Sequence, residues 1–110
     1  MVKKRYCNFS LKLVEPRQRS IRINGLATCI RLEEIYWEII EVLARQDSVS
    51  VGKLLSNWSM EMDLTGDNIK NFTAYVRVVC VVQLARRVET MIAEEGWGRL
   101  SKGLMQFATR

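Results

Sequence analysis

Two hydrophobic periods meet in one stretch of this chain. From Ser20 to Leu32 apolar and polar residues alternate, and from Glu33 to Arg45 the apolar positions recur at helical spacing. Asn24-Gly25 interrupts the alternation. This pair is the strongest short-range hairpin signal, because both residues tolerate the positive φ of a two-residue type I′ turn. With these two as the loop, Ile23 faces Leu26, Arg22 faces Ala27, Ile21 faces Thr28 and Ser20 faces Cys29. One face of the ribbon then carries Ile21, Ile23, Leu26, Ile30 and Leu32, and the other Ser20, Arg22, Ala27, Cys29 and Arg31. The first face must be covered. The second is short, basic and polar, and is left free to touch something else.

After Leu32 the pattern predicts a helix with Tyr36, Trp37, Ile40, Leu43 and Ala44 inward and Glu33, Glu34, Glu38 and Glu41 on a solvated side. Glu33 and Glu34 fall in its first turn, where negative charge suits the helix dipole. Asp47-Ser48-Val49-Ser50 breaks that helix, and Ser50 caps a second, VGKLLSNWSMEM, whose apolar members are Leu54, Leu55 and Trp58. Residues 63–67 read as a linker with Gly66 as the breaker and Asn68 as the next cap. From Ile69 to Arg87 the valines favour a strand, but the length and the stripe Phe72, Tyr75, Val76, Val79, Val82, Arg86 predict a third helix. It is expected to run on through Met91 and Ile92 until Gly96 stops it. Leu100, Leu104 and Phe107 recur at helical spacing in the tail. The expected fold is mainly α with a short N-terminal β-hairpin.

Charge changes the picture by where it lies. The net charge is +5, but residues 1–31 hold eight basic residues and one acid, whereas the rest holds nine basic and eleven acidic residues. The basic character therefore belongs to the N-terminal arm and the ribbon, the footprint expected of a partner rich in phosphate. The solvated-tail alternative explains the arm but not the basic ribbon face beside it.

Other chemistry has little support. The chain has no His, so the commonest general base is missing, and three dispersed cysteines without a Cys-x-x-Cys pair are too few for a zinc site. Gly96-Trp97-Gly98 lacks the strand, helix and Lys of a phosphate loop. No catalytic residue, metal or cofactor is expected. Cys80 reads as core, and Cys29 as a small residue that permits close approach rather than a redox switch. The stretch FSLKLV is too short for a signal peptide, and Val76–Leu84 is too short and too polar to span a bilayer, so a cytoplasmic, nucleoid-associated protein is expected.

The order strand, helix, turn, helix resembles the ribbon-helix-helix DNA-binding proteins, the superfamily of the Arc and methionine repressors. The similarity rests on TCIRLEEIYWEIIEVLA, with its adjacent aromatic-Trp pair Tyr36-Trp37, on Ser50 opening the next helix, and on NFTAYVRVVC as a third. It covers roughly residues 19–86. The chain then divides into a basic arm (1–18), a ribbon-helix-helix domain with a third helix (19–87) and a C-terminal extension (88–110).

The resemblance implies a homodimeric, bacterial-type repressor that binds double-stranded DNA and regulates transcription. Each subunit gives Thr28–Leu32 to an antiparallel ribbon in the major groove, with Ala27, Cys29 and Arg31 turned to the bases. Arg31 carries the direct readout, because Ala27 and Cys29 offer few hydrogen bonds. Ser50, the amides of Val51 and Gly52, and Lys53 meet a phosphate. Lys3, Lys4, Arg5, Lys12, Arg17, Arg19 and Arg22 add phosphate attraction. Ile30, Leu32, Trp37, Leu54, Leu55 and Trp58 form the dimer core. If the upstream strand pairs with Thr28–Leu32 in the same chain, the free edge of the second strand still allows a four-stranded sheet across the dimer. The other reading is a protein–protein adaptor or antitoxin whose C-terminal segment binds a partner protein.

Overall fold

The computed structural model describes residues 8–64 and 71–95. A single 3₁₀ turn (Leu11–Val14) leads into strand β1 (Pro16–Ile23), strand β2 (Leu26–Glu33) and helices α1 (Glu34–Gln46), α2 (Val51–Leu64) and α3 (Phe72–Glu95). The chain divides into two compact units, Met1–Met60 and Glu61–Arg110.

In the first unit, β1 and β2 form an antiparallel hairpin in the register the turn chemistry predicts, from Ile23↔Leu26 to Pro16↔Glu33. Asn24 and Gly25 both have positive φ, 51° and 81°, as a type I′ turn requires. The strand Thr28–Leu32 thus lies within β2 and finds a hydrogen-bonded partner, β1, in its own chain. Ile21, Ile23, Ile30 and Leu32 are buried, as alternation predicts. Leu26 departs from the pattern at 72% exposed, because it borders the turn at the far end of the ribbon from the start of α1.

Helix α1 lies against the buried face of the hairpin. Its side chains Trp37, Ile40, Leu43 and Ala44 are buried at helical spacing. Fully buried Trp37 donates its indole Nε1–H to the Arg17 carbonyl of β1 at 2.8 Å, so burial of the ring leaves no orphaned donor. The break after α1 is made by Ser48 in the left-handed region (φ 56°), and Ser50 Oγ accepts the Lys53 amide at 3.1 Å to cap α2. Leu54, Leu55 and Trp58 are buried. Together with Ile30, Leu32 and Trp37 they are shielded from solvent within one chain, so their burial does not wait for a second subunit.

Residues 63 and 64, expected in a linker, are the last of α2. In the second unit Asn71, not Asn68, caps α3: its Oδ1 accepts the Ala74 amide at 3.2 Å. Asn68, Gly66 and the tail with Leu100, Leu104 and Phe107 lie outside the described residues. Helix α3 buries Val76 and Cys80, while Phe72, Tyr75, Val79 and Val82 are half-buried and Arg86 is exposed. Burial, and then the Glu61 carboxylate, push the Tyr75 phenol above its ordinary value. Burial alone pushes the Cys80 thiol up to about 12.

Replacing Trp37 with Phe keeps most of the ring but deletes the donor to Arg17. The expected loss is about 1–2 kcal/mol in denaturant unfolding, and a mutant midpoint coinciding with wild type would show that this bond carries no stability. Cys80 gives a pH signature. The unfolded thiol ionises near 9 and the folded one near 12, so its contribution is intact below about pH 9 and declines as pH rises towards 12. Comparing wild type with Cys80→Val over that window should show a shallower alkaline decline in the variant.

Candidate nucleic-acid interface

Hairpin geometry sorts the basic residues by face. In an antiparallel ladder, residues on each strand alternately turn their backbone groups towards and away from the neighbour. The turn closes on Ile23 and Leu26, and Glu34 N donates to Glu15 O at 2.8 Å just past the other end. Arg17, Arg19, Ile21 and Ile23 therefore bond inward to Leu32, Ile30, Thr28 and Leu26, respectively. The backbone groups of Gln18, Ser20 and Arg22 point out along one edge, and those of Ala27, Cys29 and Arg31 along the other.

Side-chain direction follows the same alternation. Arg17 and Arg19 share the covered face with the isoleucines. Arg17 makes a two-pronged ion pair with Glu34 (2.7 and 3.1 Å), and Arg19 reaches Glu41 at 3.1 Å while its guanidinium stands 4.9 Å from the centre of the Trp37 ring. Sequence alone places both arginines at phosphates. The structure instead engages them with α1, and the acids expected to be merely solvated are their partners. Lys12 lines a cleft of about 430 Å³ with Glu15, Arg17, Glu34 and Glu38. Lys3, Lys4 and Arg5 lie outside the described residues.

The outer face keeps Gln18, Ser20 and Arg22 from β1 beside Ala27, Cys29 and Arg31 from β2, all exposed. From the Gln18↔Arg31 pair to the turn it carries two arginines and no acid. Arg22 spends one donor on the Gly25 carbonyl (3.2 Å), and Gln18 Nε2 donates to Cys29 Sγ across the strands. Gln18 escapes the sequence reading, because nothing apolar marks the alternation upstream of Ser20.

Helix α2 begins beside this face. A Cβ built on Gly52 would stand 3.1 Å from the Arg22 carbonyl oxygen and 3.6 Å from Ile21 Cγ2, so the absence of a side chain there lets the helix start against β1. One turn later Ser56 Oγ accepts the Asn24 amide at 3.0 Å. The fold thus brings Ser50, Val51, Gly52 and exposed Lys53 next to Arg22, a grouping that spans about 30 residues of sequence and that spacing alone does not reveal.

Residues 16–84 match the family described as ribbon-helix-helix domain. The chain belongs to that family. Ribbon-helix-helix domains generally bind DNA and dimerise. Among solved structures, this ribbon-helix-helix protein is similar to an uncharacterized protein from Bordetella pertussis Tohama I. The two are 27% identical, with a TM-score of 0.67, over 77% of this chain and 68% of that one. No curated protein matches. Among the described residues no helix is long and apolar enough to cross a membrane.

The two described thiols differ in access, Cys29 exposed and Cys80 buried. A thiol reagent applied to the folded protein at neutral pH, with the label mapped by mass, should modify Cys29 promptly and Cys80 only on unfolding. Equal labelling of the two would place Cys29 off the outer face.

Proposed function

We propose that this protein is a sequence-specific DNA-binding regulator of transcription that presents the outer face of its hairpin to the major groove. The observation that carries the proposal is the outer face itself, with exposed Arg22 and Arg31 and no acid from Gln18↔Arg31 to the turn, in a chain of a DNA-binding family. Arg31 is its strongest base reader, since a guanidinium matches the O6 and N7 acceptors of guanine with two parallel donors. Cys29 and Ala27 admit close approach. Ser50, the free amides of Val51 and Gly52, and Lys53 offer a phosphate both hydrogen bonds and charge.

The active form in this reading is a homodimer. The β2 edge at Ala27, Cys29 and Arg31 has backbone donors and acceptors turned away from β1, and a second β2 running antiparallel satisfies them. A second, protein-binding role is favoured by one observation. Val78, Val81, Leu84, Val88 and Met91 on α3 are all exposed, an apolar surface of the kind that partner proteins cover, as in an antitoxin or adaptor.

Arg31→Ala should weaken binding to a selected site by roughly 1–3 kcal/mol per contacted base and relax preference at that position, with little change in thermal midpoint. Unaltered preference in a binding-site selection would remove Arg31 from the reading. The dimer has its own test. Cys29→Pro removes an outward N–H without touching the bonds to β1, so sedimentation should show it monomeric but folded. A Cys29→Pro dimer as tight as wild type would place the subunit interface elsewhere.

A further inference from the structure

We propose that β1 is a phosphate-gripping strand: its outer face, led by Arg22 with Ser20 and Gln18, lies on the sugar–phosphate lip of the major groove while β2 faces the bases. This rests on the DNA-binding reading above and assigns β1 a role within it.

The placement follows from which edge of the hairpin is open. Along β1, Pro16 has no N–H to offer, the Arg22 carbonyl is met by Gly52, and the Asn24 amide is taken by Ser56. Helix α2 therefore occupies that edge near the turn. The β2 edge carries no such cover among the described residues. In the dimer proposed above two copies join β2 to β2, at the edge α2 leaves open, which puts the β1 strands on the outside of a four-stranded sheet.

Width then decides what each strand can reach. Neighbouring strands lie about 4.8 Å apart, so the two central strands fit a groove about 12 Å wide, but the outer pair, separated by about 14 Å, does not. Each β1 must rest at the groove wall, where the phosphates are.

The chemistry of the β1 outer face suits that position. Arg22 retains donors beyond the one given to Gly25, Ser20 has an exposed hydroxyl, and Gln18 has an exposed amide; none of the three carries negative charge. Phosphate oxygens take hydrogen bonds from these side-chain types without regard to sequence. Between Gln18↔Arg31 and the turn, positive charge without acids also makes a polyanion the complementary partner, rather than an acidic-and-apolar protein surface.

The test uses the full chain and a pool of random-sequence DNA duplexes, with affinity measured across a salt series and the bound sequences read out. Arg22→Ala should weaken binding to all duplexes alike, flatten the log–log salt slope by about 0.9 for each phosphate that Arg22 neutralises, and leave the selected motif unchanged. Arg22→Lys should recover most of the affinity, because a phosphate accepts a point charge where a base needs the planar fork. Gln18→Glu should weaken binding in the same uniform way. Thermal midpoints of all three should match wild type, since these side chains are exposed.

A changed motif in Arg22→Ala would overturn the proposal by putting β1 inside the groove. Unchanged affinity and slope in both Arg22→Ala and Gln18→Glu, with wild type binding DNA, would overturn it by taking β1 off the DNA. Wild type that retains no duplex at any salt overturns the DNA-binding reading itself, and this assignment with it.

Discussion

The structure hangs on a hydrogen bond from inside its core. Among the described residues Trp37 is the largest fully buried side chain, and its one polar atom must find an acceptor or cost the fold a desolvated N–H. It finds the Arg17 carbonyl, a backbone atom of the strand α1 covers. An acceptor on the backbone fixes more than proximity. It ties the rotation of α1 to the register of the hairpin, because a slip by one residue would turn the isoleucines outward with Arg17 and Arg19 and bring Arg22 and Arg31 inward. The Arg19 guanidinium over the same indole, and the ion pairs of Arg17 and Arg19 with Glu34 and Glu41, clamp the two elements on both sides of that bond.

One consequence is a division of labour among arginines that look alike in the sequence. Arg17 and Arg19 fall at odd positions with Ile21 and Ile23, and their charges are engaged by α1. Arg22 and Arg31 fall on the opposite face and make no ion pair among the described residues. A count of basic residues in the first 31 gives the sign of the region but overstates the charge available to a polyanion, because alternation assigns part of it to structure.

Much of this is readable from residue order. Asn24-Gly25 determines the turn, the turn determines the register, and period-two alternation then places Ile30 and Leu32 inside and Arg31 outside. The same alternation, carried upstream of Ser20, puts Arg17, Gln18 and Arg19 on their correct faces. Those residues look like part of an arm only because nothing apolar marks Pro16–Arg19 as strand. Leu26 departs for a different reason: alternation gives a residue's face but not how far the covering helix extends. The approach of Gly52 to Arg22 is not legible at all, since a glycine in a first helical turn has several explanations and only the packed backbone selects among them. The cap of α3 moves from Asn68 to Asn71 because two asparagines three residues apart offer the same chemistry.

Occupation of the β1 edge by α2 has a bearing on how many copies can assemble. Strand edges are adhesive, and a chain with two of them can add neighbours without limit, building a fibre. Here one edge is partly taken from within, near the turn, by Gly52 against Arg22 and Ser56 on Asn24. Whatever joins at β2 leaves the hairpin a β1 edge shortened at the turn by α2 and at its start by Pro16, which has no N–H, so further edge-to-edge growth is disfavoured. The glycine that lets α2 begin against β1 is thereby also a guard against runaway aggregation.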